Sequence, residues 1–162
     1  DKPRKWMDEP QDVTLVPKQR ARRPDATLKK TAFTLHPLIS WVQAGNWETL
    51  DWNFTVEHAD EVWPCPVDCS DETFVLRVKG QSMEPKFAEG DLIFVDPHAV
   101  PGHKKFIVVR ANDSLEATFK QLVVEENRKH LKALNPDWPN RIVEMGENTT
   151  ICGVVVFKGE EV

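Results

Sequence analysis

The segment VKGQSMEPKF, residues 78–87, places a serine after an apolar run and a glycine. A serine hydroxyl is a weak nucleophile at neutral pH and needs a base to remove its proton. Two short-range patterns fail: GxSxG lacks its second glycine, and SxxK fails because Lys86 stands four residues after Ser82. A Ser-His-Asp triad stays open because its order along the chain varies between folds, but no histidine stands in a context that singles it out.

Lys120 is the other candidate base for this serine. It lies in EATFKQLVV, residues 116–124, inside an otherwise apolar predicted strand. Burial of an ammonium group lowers its pKa, and a neutral amine is what a general base requires. The alternative is a lysine at a strand edge, whose stem lies on apolar surface while its ammonium reaches water.

The elements that must position these residues are predicted to be mostly β-strands. Apolar runs of strand length alternate with Pro, Gly, Asn and Asp, which favours a mostly β domain over βαβ units. Residues 33–56 are expected to be strand segments broken at Pro37 and at Ala44-Gly45, residues 63–72 a loop, and the residues after Ser82 one short helical turn. The predicted strands are 74–80, 91–96, 105–112, 115–126, 130–136, 141–145 and 149–157.

The composition is that of an ordinary globular protein. A chain of 162 residues that is 40% hydrophobic can bury the core of one domain. No apolar run approaches the roughly 20 residues of a membrane span, and the polar N-terminus does not resemble a signal peptide. The three cysteines include no CxxC pair and the five histidines are scattered, so metal binding or a cross-link by the CPVDC pair at 65–69 is only an alternative to reduced thiols. We therefore expect a cytoplasmic protein with reduced thiols, no cofactor, no metal and no membrane contact.

The charge is distributed unevenly along the chain. Residues 1–30 carry nine Lys or Arg against five Asp or Glu, whereas residues 31–162 carry twelve against twenty-one. We interpret 1–30 as a flexible basic linker and 31–162 as an acidic domain, which is a poor candidate for holding DNA itself. Contact of the basic stretch at 18–30 with nucleic acid remains an alternative to a solvated linker.

Several motifs in a fixed order resemble one known family. GxSMxP at 80–85, EGDLIFVD at 89–96 and TFKxL at 118–122 are similar to the LexA, phage lambda repressor and UmuD family, whose members are self-cleaving Ser-Lys peptidases of the S24 type. The resemblance extends from about residue 35 to residue 157. It is closest to the C-terminal domains of phage CI-type repressors, through LHPLISWVQAGNW, LNPDWP and ICGVVVF.

The resemblance implies a fold and a reaction. It implies a twisted, largely antiparallel β domain that forms a homodimer, with Ser82 as nucleophile and Lys120 as base. The backbone N–H groups of Ser82 and Met83 would hold the oxyanion. In this family the cleaved bond is an upstream Ala-Gly peptide, and Ala44-Gly45 is the Ala-Gly pair of this chain, with Val42 as a subsite residue. Without the resemblance, Ala44-Gly45 would be read as a hairpin bend.

The resemblance also implies partners. The domain would belong to an SOS- or prophage-type transcriptional repressor, which binds operator DNA through an N-terminal helix-turn-helix domain preceding these residues. A RecA–single-stranded DNA filament would act as co-protease, and cleavage would cause derepression. The first alternative is a UmuD-like accessory protein of a translesion polymerase, activated by self-cleavage. A signal peptidase with the same dyad and a non-catalytic β interaction domain are further alternatives.

Overall fold

The computed structural model describes residues 34–162, so the predicted linker at 1–30 lies outside the described residues. Within them the chain forms nine strands and three short helices. The helices are α1 (Trp41–Gly45), a 3-10 helix (Trp47–Thr49) and α2 (Trp52–Glu57). The strands are β1 (Leu35–Pro37), β2 (Val62–Pro64), β3 (Phe74–Arg77), β4 (Leu92–Asp96), β5 (Phe106–Ala111), β6 (Thr118–Glu125), β7 (Arg128–Lys132), β8 (Ile142–Glu144) and β9 (Thr149–Gly159).

Seven of the strands form the main sheet, in the order β3-β4-β9-β5-β6-β7-β8, and all its pairs are antiparallel. The predicted mostly β fold is confirmed, and the seven strands predicted between residues 74 and 157 correspond to β3 through β9. Successive side chains of these strands point to opposite faces of the sheet. Along β4, Ile93 and Val95 pack into one core, while Leu92 and Phe94 pack into another on the opposite face.

The predicted strands at 33–56 are wrong beyond β1, because this region is helical. Ser40 is the N-cap of α1: its Oγ accepts a hydrogen bond from the N–H of Gln43 at 3.1 Å, and Gln43 Oε1 accepts one from the N–H of Ser40 at 2.9 Å. Asp51 caps α2 by accepting from the N–H of Phe54 at 3.2 Å. These caps satisfy N–H groups that a helix start leaves free, which outweighs the strand preference of the aromatic residues between them.

The predicted loop at 63–72 is wrong at its start, because Trp63 and Pro64 belong to β2, which pairs with β1. β1 also connects to the main sheet. Leu38 forms a parallel bridge with Val75, and the N–H of Ile39 donates to the carbonyl of Val75 at 3.0 Å. Because α1 follows directly, this connection fixes the start of α1 beside β3.

One buried core lies beneath the region that carries the predicted site. It contains Met83 next to Ser82, Phe119 next to Lys120, and Ala44 of the predicted cleavage bond. Phe87 packs edge-to-face against both Phe119 and Phe106, with ring centroids 4.8 and 4.9 Å apart. Aromatic pairs in this arrangement add to the stability gained from burial alone. The site residues are therefore anchored by buried neighbours.

Candidate active site

Ser82 lies at the start of a tight turn that follows β3. Gly80, with φ of +80°, takes a conformation that side chains disfavour and lets the chain leave the strand sharply. The N–H of Phe87 donates to the carbonyl of Met83 at 3.0 Å, so the predicted helical turn is present as one such hydrogen bond. Met83 is 1% exposed, whereas Ser82 is half-buried. The buried methionine therefore holds the serine at the rim of the core.

Asn135 connects a distant loop to this turn. Its backbone N–H donates to the carbonyl of Ser82 at 3.0 Å, and its side-chain amide donates to the carbonyl of Gln81 at 2.9 Å. The Oδ1 of the same side chain accepts from the N–H of Asp137 at 3.0 Å, which closes its own loop. The LNPDWP segment thus supports the backbone that carries Ser82. The sequence contained no signal for this contact apart from the segment's resemblance to phage repressors.

Lys120 lies on β6, where its register partner on β5 is Ile107. Burial lowers the pKa of the Lys120 ammonium below its ordinary value of 10.5, because removal from water disfavours the charged form. The amine donates a hydrogen bond to the carbonyl of Phe119 at 3.1 Å. A half-buried lysine with a lowered pKa has the protonation behaviour that a general base needs.

Ser82 and Lys120 line the same cavity, which has a volume of about 230 Å³. Near its mouth an exposed ion pair joins Lys79 Nζ to Glu116 Oε1 at 3.0 Å. The remaining wall is mainly apolar, and such surroundings strengthen electrostatic interactions inside a site. It is formed by Trp41, Val78, Met83, Ala117, Thr118, Phe119 and Trp138.

The predicted cleavage bond lies in α1, close to this cavity but outside its lining. Ala44 is fully buried, and its N–H donates to the carbonyl of Ser40 at 2.9 Å. Trp41, at the start of the same helix, does line the cavity. Val42, the predicted subsite residue, is 43% exposed. The structure thus brings Ser82 and Lys120 to one cavity and holds Ala44-Gly45 in a helical turn beside it.

Sequence reasoning missed Arg110, which contacts the predicted cleavage bond directly. Its Nε donates to the carbonyl of Gly45 at 2.8 Å, across 65 residues of chain. Nothing in the local sequence of β5 indicates this contact. The helix around the bond, in contrast, had a visible signal, since Ser40 and Gln43 form the S-x-x-Q pattern of a capping box.

Among residues 34–162, no group of three or more His, Cys, Asp or Glu side chains is arranged to hold a metal ion. No helix formed by those residues is long and apolar enough to cross a membrane. The three cysteines are free, and burial raises the pKa of both Cys65 and Cys152 to about 11.

A serine and a half-buried lysine line one cavity of an antiparallel β domain, an arrangement that is compatible with the class of serine peptidases that use a lysine as base. Comparison with known proteins agrees with that class. The chain belongs to the Peptidase S24-like family, whose model matches residues 37–156. The resemblance to the LexA, lambda repressor and UmuD group is thereby confirmed.

Three proteins similar to this chain are named as repressors or transcriptional regulators. It is 38% identical over 160 residues to the prophage repressor CohE of Escherichia coli strain K12, covering 99% of this chain and 70% of the relative. It is 43% identical over 124 residues to the HTH-type transcriptional regulator for conjugative element SXT of Vibrio cholerae, covering 74% and 57%. It is 40% identical over 125 residues to repressor protein C2 of Salmonella phage P22, covering 75% and 57%. The chain thus spans a little over half the length of the last two.

Proposed function

We propose that this chain is the C-terminal regulatory domain of a prophage- or SOS-type transcriptional repressor that cleaves itself once, at Ala44-Gly45. The observation that carries the proposal is that Ser82 and Lys120 line one cavity next to the helix containing that bond. The matched family is a peptidase family, and the relatives described above are named as repressors or transcriptional regulators.

In the first step Lys120 acts as the base. Its neutral amine removes the proton of the Ser82 hydroxyl, and the oxygen attacks the carbonyl carbon of Ala44. The backbone N–H groups of Ser82 and Met83 donate to the resulting oxyanion. The Lys120 ammonium then returns the proton to the nitrogen of Gly45 as the peptide bond breaks, which leaves Ala44 as an ester on Ser82.

In the second step water releases the ester. Lys120, again neutral, removes a proton from the water as it attacks the ester carbonyl, and then protonates the departing Ser82 oxygen. The products are a fragment that ends at Ala44 and a fragment that begins at Gly45. Because the chain contains one Ala-Gly bond and hydrolysis does not re-form it, each chain cleaves that bond a single time, and Ser82 and Lys120 remain together in the second fragment.

The regulatory role follows from separation of two domains. Dimerisation of this domain pairs two N-terminal DNA-binding domains on symmetric half-sites of an operator in the bacterial cytoplasm. Cleavage between them removes the pairing, so operator affinity falls. A RecA–single-stranded DNA filament stimulates the reaction by favouring the conformation in which the bond reaches Ser82, without supplying a catalytic group.

Incubation of the purified chain at about pH 10, followed by mass spectrometry, tests the proposal. We expect two fragments, ending at Ala44 and beginning at Gly45, and no cleavage in Ser82→Ala or Lys120→Ala. Lys79→Ala is the matched control, because Lys79 lines the same cavity but its side chain is 62% exposed. If the wild-type chain stays intact across the alkaline range, self-cleavage is refuted. If only Lys79→Ala loses cleavage, Lys79 rather than Lys120 is the base.

A further inference from the structure

The Ala44-Gly45 bond lies in a buried helical turn, outside the lining of the cavity that contains Ser82. Both residues are buried, and the bond forms the end of α1 rather than an extended segment. Attack requires the serine oxygen to approach the Ala44 carbonyl carbon to about 3–3.5 Å. Neither Ala44 nor Gly45 lines the cavity that contains Ser82. The end of α1 must therefore move before the chemical step.

Arg110 is the side chain that covers this bond from outside the helix. Besides the 2.8 Å hydrogen bond from Nε to the Gly45 carbonyl, its Nη1 donates to the carbonyl of Ser114 at 3.2 Å. Its aliphatic stem lies directly on Gly45, since a Cβ added to Gly45 would stand 2.5 Å from Arg110 Cδ. Because a guanidinium donates from a planar, rigid group, both hydrogen bonds hold the stem against the helix end.

Two further hydrogen bonds of α1 lie at the start of the helix. The carbonyl of Trp41 accepts from the backbone N–H of Ala117 at 3.1 Å, and the Trp41 indole donates to the carbonyl of Arg77 at 3.1 Å. Both fix the start of the helix, where Trp41 already lines the cavity. Arg110 contacts the other end, at the bond to be cleaved. Loss of the Arg110 contacts removes part of what holds that end, besides the burial of Ala44, while the start of α1 stays in place.

We propose that Arg110 is a positioning residue that holds the Ala44-Gly45 bond away from Ser82, so that breaking its contact with Gly45 limits the rate of self-cleavage. This inference rests on the proposed function and adds the element on which its regulation acts. If the open form is a minor population, the observed cleavage rate is the chemical rate multiplied by the open fraction. A partner that stimulates cleavage then needs only to favour the conformation in which Arg110 no longer contacts Gly45.

Replacing Arg110 by Met tests the contact, since Met keeps an apolar stem and lacks a donor. A charge-assisted hydrogen bond contributes enough that we expect self-cleavage to become about tenfold faster at each pH. The midpoint of the pH profile should not move, because that midpoint belongs to Lys120. Arg110→Lys should give an intermediate rate. Arg128→Met is the matched control, because Arg128 is exposed at the start of β7, and its rate should equal that of the wild type.

A second measurement needs no self-cleavage. Cys152 is 1% exposed and belongs to the same buried core as Ala44, so we expect removal of Ala44 from that core to increase alkylation of Cys152 by iodoacetamide. The positive charge of Arg110 lowers the pKa of Cys152, so loss of that charge alone would slow the labelling. Faster labelling of Cys152 in Ser82→Ala/Arg110→Met than in Ser82→Ala, by about tenfold, therefore indicates opening. Peptide mapping separates Cys152 from the other two thiols.

The two measurements separate the possible failures. A wild-type chain that never cleaves refutes the proposed function, while the labelling still tests whether Arg110 holds the helix. Unchanged labelling in a variant that stays folded by circular dichroism overturns the positioning role. Faster labelling with unchanged or slower cleavage also overturns the proposal, because opening would then not limit the reaction.

Discussion

The backbone N–H of Asn135 donates to the carbonyl of Ser82 at 3.0 Å, so a loop far along the chain holds the proposed nucleophile. The side chain of Asn135 adds a hydrogen bond to Gln81 at 2.9 Å. Attack on one defined bond requires the serine oxygen to be held in a narrow range of positions. A turn without these hydrogen bonds would let the serine move out of that range. The position of Ser82 thus depends on two segments of chain, and each can be tested by substitution.

Asn135→Ala removes the side-chain hydrogen bonds and leaves the backbone contact to Ser82 in place. Small displacements at a reacting atom are costly, so we expect self-cleavage at about pH 10 to slow by roughly tenfold. The free energy of unfolding should fall by about 1 kcal/mol, measured by urea denaturation in the Ser82→Ala background. Asn148→Ala, on an exposed loop, serves as control. A cleavage rate equal to that of Asn148→Ala would refute the supporting role of Asn135.

The lowered pKa of Lys120 predicts the direction in which the cleavage rate changes with pH. Because burial lowers its pKa, the neutral base accumulates as pH rises through a value below 10.5, and the cleavage rate should rise with pH with its midpoint below 10.5. Quantifying fragment yield against time from pH 6 to about pH 11 checks this. A rate that does not change with pH, or that falls in the alkaline range, would contradict Lys120 as the base.

The same lowered pKa predicts an effect on stability. At pH values below the folded pKa, Lys120 is charged in both states and the folded state bears the cost of burying that charge. Above 10.5 the amine is neutral in both states and that cost disappears. Ser82→Ala/Lys120→Met should therefore be more stable than Ser82→Ala at pH 7, with the difference shrinking as pH approaches 10.5. An equal difference at both pH values, by urea denaturation, would count against a desolvated ammonium.

The core beneath the site makes a prediction about packing. Leu76 is fully buried, whereas Leu115 is 78% exposed, so one substitution can be compared in two environments. Leu76→Ala should lower the free energy of unfolding by about 2–5 kcal/mol, through lost burial and the cavity left behind. Leu115→Ala should change it by less than about 0.5 kcal/mol. Urea denaturation of both variants in the Ser82→Ala background measures this, and equal losses would show that β3 does not pack as described.

Residues 33–56 differ from the strands that their composition predicts. Their many aromatic and β-branched residues favour strands, yet two helices and a 3-10 helix follow β1. Strand preference is set by the surface a residue packs against, and after Leu38 has bridged to Val75 the following residues pack as short capped helices rather than pairing with a strand. Ser40 and Asp51 are residue types that favour a helix start, and their capping hydrogen bonds override the strand preference of the apolar residues that follow.

By itself the sequence determined the strands of the main sheet, because apolar runs of strand length bounded by turn residues are local properties that each strand carries. It also singled out Ser82 and Lys120 as candidates, through residue type and their order along the chain. Only the tertiary structure decided that these two line one cavity, that Asn135 supports the serine turn, and that Arg110 covers the Gly45 carbonyl. Such contacts join segments 38 to 65 residues apart, and their existence depends on how the strands pair rather than on any local pattern.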